Sequence, residues 1–400
     1  MFLNFTKILP ENNTKKAFRK QSRYFLYFII ELALYFSKEF KRMGISSSSD
    51  GGSSSTNVTL KNMDTISVSI TTLKSKIISA LVSLNFDKKD AEIICDVLLY
   101  AELRKNNQGI LKITSGELKP HIETLFNKAT IKNVLDTKIS AKLDGAQRCG
   151  MVVVNEGVTI AIKKAKEHGL AIVGVSNYSS STGALGFWAR KITKEGLIGI
   201  VMSQCNALVA PYGSYEKVFG TNPIAIGIPT LPRPQILDMT TAATPYFGLV
   251  QAKELGNPIP EDVAYGPDGK CTSDPLDAIR GAIRVFDRSH KGSHLALMVE
   301  LLAGAFTGAS MNDKDLDHNW GSFILVIDPA VMGGAADFQA NAMTMCNKVK
   351  QAAKLPGHET IYLPGERGDY IEAEFLKRGE IDINAAIYNK LSSMVSQDEE

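Results

Sequence analysis

Three short polar segments of the chain carry side chains that could hold an anion or a sugar hydroxyl. Asp238 closes an apolar run, where its carboxylate could accept hydrogen bonds from a ribose or could simply end a strand. Lys291 stands beside Gly292 before an apolar run, where it could reach a phosphate or a carboxylate, or could be a solvated surface lysine. Residues 364–367, Pro-Gly-Glu-Arg, form a polar loop or a plain turn. By residue type alone, each segment has a structural explanation beside the functional one.

The common catalytic and phosphate-binding motifs are missing from the sequence. A doubly wound dinucleotide-binding domain would show GxGxxG, and residues 183–186, Gly-Ala-Leu-Gly, do not match that pattern. Residues 290–293, His-Lys-Gly-Ser, lack the upstream glycine of a Walker A loop, and neither HExxH nor GxSxG occurs. The five cysteines are scattered without a CxxC or a Cys/His cluster, so no metal site is predicted. A dinucleotide, if one binds, must be held without the usual glycine turn.

Composition and charge indicate a packed globular body with a basic N-terminal part. Apolar residues make up 44% of the chain and charged residues 22%, which is ordinary for a globular protein. Residues 1–43 contain nine Lys/Arg and three Asp/Glu, a net +6, so the overall charge of +3 leaves about −3 for the rest. A mildly acidic body gives no reason to expect a nucleic acid partner. The few unpatterned cysteines favour a reducing compartment, and we expect a cytoplasmic protein.

The first 56 residues are predicted to be an appendage, separate from a body at 57–400. Basic residues precede an apolar run at 24–36, which is shorter than the roughly 20 residues that a spanning helix needs. Residues 47–56, SSSDGGSSST, have the composition of a flexible linker. The appendage could be a disordered extension, could target an organelle, or could contact a membrane surface or direct secretion.

Hydrophobic periodicity predicts alternating helices and strands, and therefore an α/β fold. Helices are predicted at residues 71–84, 87–104, 155–168 and 184–195. Strands are predicted at residues 138–144, 171–175, 197–203, 223–228, 235–239 and 323–328. The run LALMVELLAGAFTGA at 295–309 is apolar nearly all round and predicts a buried core helix.

Seven segments, in the same order along residues 65–390, resemble the malate/L-lactate dehydrogenase family of the non-Rossmann type. They are AELRKNNQGILKI (101–113), GVSNYSSSTGALGFWAR (174–190), LVAPYGSYEKVFGTNPIAIGIPT (208–230), ILDMTTAATPYFG (236–248), GNPIPEDVAYGPDGKCTSDP (256–275), SHKGSHLALMVELLAGAFTGA (289–309) and YLPGER (362–367). The family also includes ureidoglycolate and sulfolactate dehydrogenases and piperideine-carboxylate reductases. The resemblance implies a non-Rossmann, mixed-sheet α/β fold, a homodimer, and hydride transfer between NAD or NADP and a small 2-oxo/2-hydroxy acid or imino acid.

The residues expected to bind the dinucleotide follow from this resemblance. They are Ser181, Thr182, Gly183, Ala184, Leu185, Asp238, Met239, Thr240, Lys291, Gly292, Gly365, Glu366 and Arg367. The sequence does not decide between NAD and NADP.

Three positions that carry the chemistry in the family differ in this chain. Residues 177–183, NYSSSTG, correspond to a family stretch N-S-x-H-[FY]-G, and the resemblance places the family histidine at Ser181. Residues 107–112 match a family stretch S-H-G-[VI]-x-R, which places Gln108 at the histidine and Lys112 at the arginine. Lys112 keeps the charge for a carboxylate but lacks the guanidinium fork. Gln108 can hydrogen-bond a carbonyl, and Ser181 could act in a proton relay with Tyr178 or Lys112. These three are the predicted catalytic residues.

The departures leave alternatives open. The chain is predicted to be an active oxidoreductase, with a catalytically silent dinucleotide-binding homologue as the second possibility and a structural protein without a cofactor as the third. His290 could replace the missing proton carrier or could be a plain surface residue. His294 could crowd or contact the phosphates of the cofactor.

Overall fold

The computed structural model describes residues 65–118, 129–311 and 319–395, and the predicted appendage at 1–56 lies outside these ranges. Its strands are β1 (Thr65–Ser69), β2 (Lys132–Asp136), β3 (Ser140–Asp144), β4 (Leu170–Tyr178), β5 (Ile198–Ser203), β6 (Ile224–Ile228), β7 (Gln235–Met239), β8 (Ala264–Tyr265), β9 (Ala282–Ile283), β10 (Trp320–Ile327) and β11 (Glu380–Asn384). Its α-helices are α1 (Ile70–Ser83), α2 (Lys88–Leu103), α3 (Leu111–Thr114), α4 (Gly150–His168), α5 (Leu185–Thr193), α6 (Tyr246–Glu254), α7 (Pro275–Arg280), α8 (His290–Val299), α9 (Ala335–Gln351), α10 (Glu366–Arg378) and α11 (Ala385–Val395). The α/β class is confirmed.

A seven-stranded mixed sheet forms the centre of the described body. Its strand order is β2-β3-β4-β10-β5-β6-β7, with β3 and β4 parallel and the other neighbours antiparallel. The order places β10, from late in the chain, between β4 and β5. No strand–glycine turn–helix unit of the doubly wound type is needed to build it, which agrees with the missing GxGxxG motif. The predicted non-Rossmann mixed sheet is therefore confirmed.

The central strand β10 explains why the sheet has a core on each face. Ile324 and Val326 belong to the largest hydrophobic core, in which α1, α2, α4 and α5 pack. Phe323 and Leu325 belong to a second core with Val299 on the other face. Successive side chains of a strand point to opposite faces, so a strand covered on both sides is apolar throughout. This matches the continuous apolar sequence of β10.

Local signals set the ends of several helices. The Asp87 side chain accepts a hydrogen bond from Asp90 N at 2.8 Å and caps the start of α2 as predicted. Gly169 has φ +83° and ends α4, where only glycine adopts the left-handed conformation without strain. In contrast, α4 begins at Gly150, five residues before the predicted start at 155. The residues before 155 are apolar and buried, so they carried no helical period to detect.

The apolar run at 295–309 differs from the prediction of a helix buried on nearly all sides. It lies in α8 and in a π-helix, Glu300–Ala305, that continues it. Small residues such as Ala296, Ala303 and Gly304 face the body and are buried. The large side chains on the opposite face are 36–63% exposed: Leu297, Met298, Leu301, Leu302 and Phe306. The small residues let the helix approach the sheet closely, and the large apolar side chains on its other face are left exposed.

Residues 364–367 also differ from the predicted loop. Glu366 begins helix α10, and Gly365, with φ +81°, directly precedes it. The predicted polar loop therefore ends one residue before Glu366. Within the described residues, no helix has the length and apolarity to cross a membrane.

Candidate active site

A cavity lies at one edge of the seven-stranded sheet. Strands β4, β5 and β7 end at this edge, and β6 and β10 begin there, because of their antiparallel pairing. Sheets of α/β proteins commonly bind ligands at the carboxyl ends of their strands. The cavity has a volume of about 310 Å³, which suits a small molecule or part of a cofactor.

The cavity brings together ten of the residues predicted from the sequence. All three predicted catalytic residues line it, although they come from two distant segments. The ten are Gln108, Lys112, Ser181, Thr182, Gly183, Ala184, Leu185, Asp238, Met239 and Thr240.

The loop between β4 and α5 places Ser181 at the cavity. Ser181 Oγ accepts a hydrogen bond from Gly183 N at 3.0 Å, and the Thr182 carbonyl accepts one from Trp188 Nε1 at 2.9 Å. Gly183 has φ +72°, and a Cβ there would lie 2.2 Å from a side-chain carbon of Val97. Glycine is therefore required for this turn. The loop is fixed from both sides, which makes Ser181 a rigid part of the wall.

Ser181 does not share a hydrogen bond with Tyr178 in this structure. Tyr178 Oη and Ser203 Oγ each lie 2.7 Å from Ser322 Oγ, which joins three buried hydroxyl groups in a row. Burial raises the pKa of Tyr178, and the hydrogen bonds with Ser322 and Ser203 lower it by less. A relay from Ser181 through Tyr178 thus has no direct link here, and the catalytic role of Ser181 stays a prediction.

Lys112 is a buried cation in the wall of the cavity. Its side chain is on α3 and only 1% of the residue is exposed. Nζ lies 3.5 Å from the ring centroid of Phe247, on helix α6. A cation over an aromatic face is stabilised by the ring quadrupole, but less than by water or a carboxylate. Burial therefore lowers the pKa of Lys112 to about 7, with Glu117 opposing it.

Glu102 holds the segment that carries Lys112 and Gln108. Its Oε1 accepts a hydrogen bond from Ile110 N at 2.6 Å, and a Cβ at Gly109 would collide with the same carboxylate at 2.0 Å. Burial raises the pKa of Glu102 to about 7, against the hydrogen bond from Ile110. Gln108 Nε2 donates to the neighbouring Asn107 Oδ1 at 3.2 Å. The carboxylate thus fixes the backbone between two predicted catalytic residues.

Gln204 is the main cavity residue that the sequence did not reveal. It follows β5 directly, is 1% exposed, and neither its Oε1 nor its Nε2 has a partner among the described residues. A buried amide without partners is unfavourable unless water or a ligand satisfies it. Tyr246 and Phe247, from α6, were also not predicted. Its position was the only available signal: Gln204 directly follows the predicted strand at 197–203, and Asp238 lies near the end of the predicted strand at 235–239.

Asp238 and the start of α5 form a second polar wall. Asp238 Oδ2 accepts a hydrogen bond from Gly186 N at 2.7 Å, and a Cβ at Gly186 would lie 2.9 Å from that oxygen. The protein packed around the cleft raises the pKa of Asp238 to about 6, although the side chain is exposed to the cleft. Asp238 therefore caps the first turn of helix α5, whose own N-cap residue, Ala184, makes no side-chain hydrogen bond. Ala184 and Leu185 line the cavity beside it.

A neighbouring cavity of about 440 Å³ shares Asn106 and Asp238 with the first. Gly365 and Arg367, both predicted to bind the cofactor, line it. Arg104 donates a hydrogen bond to the Gly365 carbonyl at 2.8 Å and so holds that segment in place. The two cavities therefore adjoin at Asn106 and Asp238.

Glu366 is a predicted cofactor residue that the structure places elsewhere. It lines neither cavity and is 4% exposed. Although burial opposes it, hydrogen bonds from Leu363 N, Lys350 and Tyr370 lower the pKa of Glu366 to about 2. The carboxylate is thus occupied in fixing the start of α10, which is a structural role.

Lys291 and Gly292 also line neither of the two cavities. They lie in the first turn of α8, where Asp287 Oδ1 accepts a hydrogen bond from Gly292 N at 3.0 Å. A carboxylate is therefore placed where a phosphate was expected. His290 and His294 are exposed on the same helix with ring centroids 5.5 Å apart, outside both cavities. The cofactor roles of Lys291 and Gly292 stay predictions.

Within the described parts of the chain, no group of three or more metal-ligating side chains could hold an ion. The polar cavity residues instead fit a nicotinamide dinucleotide. Asp238 presents a carboxylate that could accept a hydrogen bond from a ribose hydroxyl, and Gln204 has an amide without a described partner for a carboxamide or a carbonyl.

Comparisons with known proteins agree with this fit. The sequence profile described as malate/L-lactate dehydrogenase matches residues 68–392. A malate dehydrogenase of Pyrococcus abyssi is 31% identical, over 80% of this chain and 92% of the relative. An NAD(+)-dependent ureidoglycolate dehydrogenase of Escherichia coli O157:H7 is 28% identical, over 82% of this chain and 95% of the relative. The crystal structure of a malate dehydrogenase from Entamoeba histolytica superposes with a TM-score of 0.77 at 25% identity, covering 84% of this chain and 99% of that one.

Proposed function

The chain belongs to the malate/L-lactate dehydrogenase family and is a nicotinamide-dependent oxidoreductase of small acids, and within this class we propose that it reduces a 2-oxo acid or a cyclic imino acid in the cavity beside Lys112. The buried, unpaired ammonium group of Lys112 supports this proposal most directly. Within the described residues its Nζ has no hydrogen-bond acceptor, although the charge of Glu117 acts on it, so a bound carboxylate would supply the acceptor that it lacks. Nothing in the comparisons favours the catalytically silent alternative.

The cofactor occupies the two adjoining cavities in this proposal. Asp238 accepts hydrogen bonds from a ribose, and Ala184 and Leu185, at the start of α5, contact the cofactor beside it. Gly365 and Arg367 line the far end. When bound, the dinucleotide supplies or accepts the hydride. The remaining work is done by the protein, which holds the acid against the reacting position and excludes water from it.

The small volume of the first cavity limits the substrate. About 310 Å³ must hold both the reacting end of the cofactor and the acid, so a compact acid is favoured over a bulky one. In this proposal Lys112 attracts the carboxylate, while Ser181 and Gln108, which line the same cavity, hydrogen-bond the oxygen atoms of the substrate.

Fluorescence titration with NADH and NADPH tests the proposal, followed by a turnover screen. The acids are pyruvate, oxaloacetate, sulfopyruvate, ureidoglycolate (in the oxidative direction) and piperideine-2-carboxylate. Asp238→Ala should raise the Kd of the dinucleotide about tenfold, because it removes a hydrogen-bond acceptor from the cleft. Asp268→Ala, an exposed turn residue, serves as the matched control and should leave Kd unchanged. Wild-type protein that binds neither dinucleotide would contradict the proposed function.

The exposed apolar face of α8 and its π-helical continuation supports a homodimer. Five large side chains lie there, 36–63% exposed, on one face of a continuous helix. Monomeric proteins rarely expose such a contiguous apolar surface. In a two-fold dimer the same face packs against its copy, which would cover both surfaces at once. We therefore assign this face to the contact between two copies of the chain.

The compartment is proposed from the thiols. None of the five cysteines, all of which lie in the described ranges, forms a disulfide, and Cys271 is exposed. Free thiols persist where glutathione or thioredoxin keeps them reduced, which is consistent with a cytoplasmic enzyme.

A further inference from the structure

We infer that Lys112 is the proton donor of the reduction, giving its Nζ proton to the oxygen or nitrogen atom of the bound substrate. The inference rests on the proposed function and names the group that replaces the family's proton-carrying histidine. It differs from a role in which Lys112 only holds the carboxylate, because a proton donor must lose and regain a proton in every turnover.

The position of Lys112 supports a donor role. Lys112 lines the cavity, and only 1% of the residue is exposed. Its Nζ lies 3.5 Å from the ring centroid of Phe247. A purely structural buried lysine would be held by a carboxylate or by several carbonyls. The Nζ protons are instead available to whatever enters the cavity.

The surroundings of Lys112 make its proton transferable near neutral pH. Among the described residues, the titratable groups whose charge acts on Lys112 are Glu117 from its own segment, Cys205 after β5, and Cys149 before α4. All three raise the pKa of Lys112, but burial outweighs them and lowers it to about 7. A donor with a pKa near the working pH is protonated often enough to act and gives up its proton readily.

The other titratable groups of the cavity fit the role less well. Burial raises the pKa of Tyr178, and its hydroxyl lies 2.7 Å from Ser322 Oγ. Burial likewise raises the pKa of Tyr246. Asp238 already accepts a hydrogen bond from Gly186 N in the wall assigned to the ribose. Among the described residues that line the cavity, none is a histidine.

The proposed step balances in atoms and electrons. The substrate carbon of a C=O or C=N bond gains a hydride, with its two electrons, from C4 of the bound dihydronicotinamide, where the C–H bond breaks. The π electrons of the substrate move to its oxygen or nitrogen, which forms a new bond to a proton of Lys112 Nζ. The N–H bond of Lys112 breaks and leaves a neutral amine. The substrate is reduced, the dinucleotide is oxidised, and Lys112 regains its proton from solvent after the product leaves.

Substrate binding prepares the donor. A carboxylate that enters the cavity places a negative charge near Lys112, and an opposite charge favours the protonated form. The ammonium form is therefore replenished when the acid is bound and used when the hydride arrives. The same side chain can attract the acid and donate the proton.

Direct titration of Lys112 tests the inference without relying on turnover. Protein labelled with ¹³Cε-lysine is titrated by NMR, and the signal missing from Lys112→Arg identifies the residue. One lysine should titrate near pH 7, and its pKa should rise when oxamate, a non-reacting 2-oxo acid analogue, is added with the dinucleotide. If no lysine titrates below about pH 9, where ordinary lysines remain charged, the inference is wrong.

Kinetics of Lys112→Arg then separate the two roles of the residue. Arginine keeps the positive charge and would hold a carboxylate well, but it cannot release a proton at neutral pH. Loss of the donor should lower kcat at least about 100-fold with little change in KM, and ethylamine should partly restore the turnover of Lys112→Ala. Lys270→Arg, an 84% exposed control, should behave as wild type.

The possible results have distinct meanings. Wild-type turnover in Lys112→Arg, with normal folding and dinucleotide binding, would overturn the donor role and leave the proposed function standing. Wild-type protein that binds dinucleotide but reduces no acid would contradict the proposed substrate class, while the NMR titration still decides whether Lys112 exchanges its proton near neutrality.

Discussion

Gln204 carries an amide into the cavity at the expense of stability. Neither of its amide atoms has a partner among the described residues, and the residue is 1% exposed. Gln204→Leu removes that unfavourable burial, so the melting temperature should stay the same or rise. Turnover should nevertheless fall, with kcat/KM lower by about tenfold, because a hydrogen bond to the ligand is lost.

Thermal unfolding and steady-state kinetics on the same preparations measure both effects of Gln204→Leu. Gln204→Glu is the companion variant, since it keeps the shape of the side chain and changes its donor into an acceptor. Unchanged kcat/KM in Gln204→Leu would show that the amide serves the fold or a trapped water instead of the ligand.

The family resemblance predicted much of this site, but not its electrostatics. Ser181, Lys112 and Gln108 were expected together from motifs, and the structure places all three on one cavity. The burial of Lys112 over Phe247 was not predictable, because α6 was not among the predicted helices. Glu366 was assigned to the cofactor through the family resemblance of residues 362–367, whereas Lys350 of α9 and Tyr370 of α10 bind its carboxylate.

At the level of elements, the connection from α2 to α3 depends on one carboxylate. Glu102 accepts the Ile110 N–H, and burial raises its pKa to about 7 from an ordinary 4.5. An acid with a raised folded-state pKa holds its proton in the folded state when the unfolded chain has lost it. Folding stability therefore falls as pH rises from about 4.5 to about 7.

Glu102→Gln removes this dependence, since the amide oxygen can still accept the Ile110 hydrogen bond. Urea unfolding at pH 5 and pH 8 measures the free energy of unfolding of both proteins. The difference between variant and wild type should shift by about 1–3 kcal/mol in favour of the variant from pH 5 to pH 8. Glu261→Gln, in an exposed turn, is the control. Parallel pH dependence of wild type and Glu102→Gln would rule out a titrating Glu102.

Elements with a clear period were predictable, and those defined by contacts were not. The helix at 71–84 was expected from its apolar stripe, and α1 buries Leu73, Ile77 and Leu81 from that stripe while Val82 is 47% exposed. Helix α9 was not among the predicted helices, and none of its residues is buried. The strand β1 pairs with β11, more than 300 residues later, and such a partner leaves no local signal.

For the whole molecule, the chain order of the sheet explains why distant motifs meet. Strands β4, β5 and β7 run in one direction, so their ends lie at the same edge of the sheet. Ser181 and Gln204 follow β4 and β5, Asp238 lies near the end of β7, and all three line the cavity. Arg104 connects this edge to helix α10 through Asp369 and Glu372, at 2.7 and 2.8 Å. The second cavity is thus built by a late helix that is anchored to an early one.

The proposed dimer can be tested at the scale of the whole molecule. Leu301 is 43% exposed in the middle of the apolar face of α8 and its continuation. Leu301→Asp would place a charge in a desolvated contact, so light scattering after size exclusion should give the monomer mass of 43.5 kDa, against about twice that for wild type. Met332→Asp, 71% exposed on the 3-10 helix Pro329–Met332, is the matched control and should remain a dimer. A monomeric wild-type protein at micromolar concentration would contradict the assignment of this face to self-association. The exposed apolar side chains would then indicate a different partner.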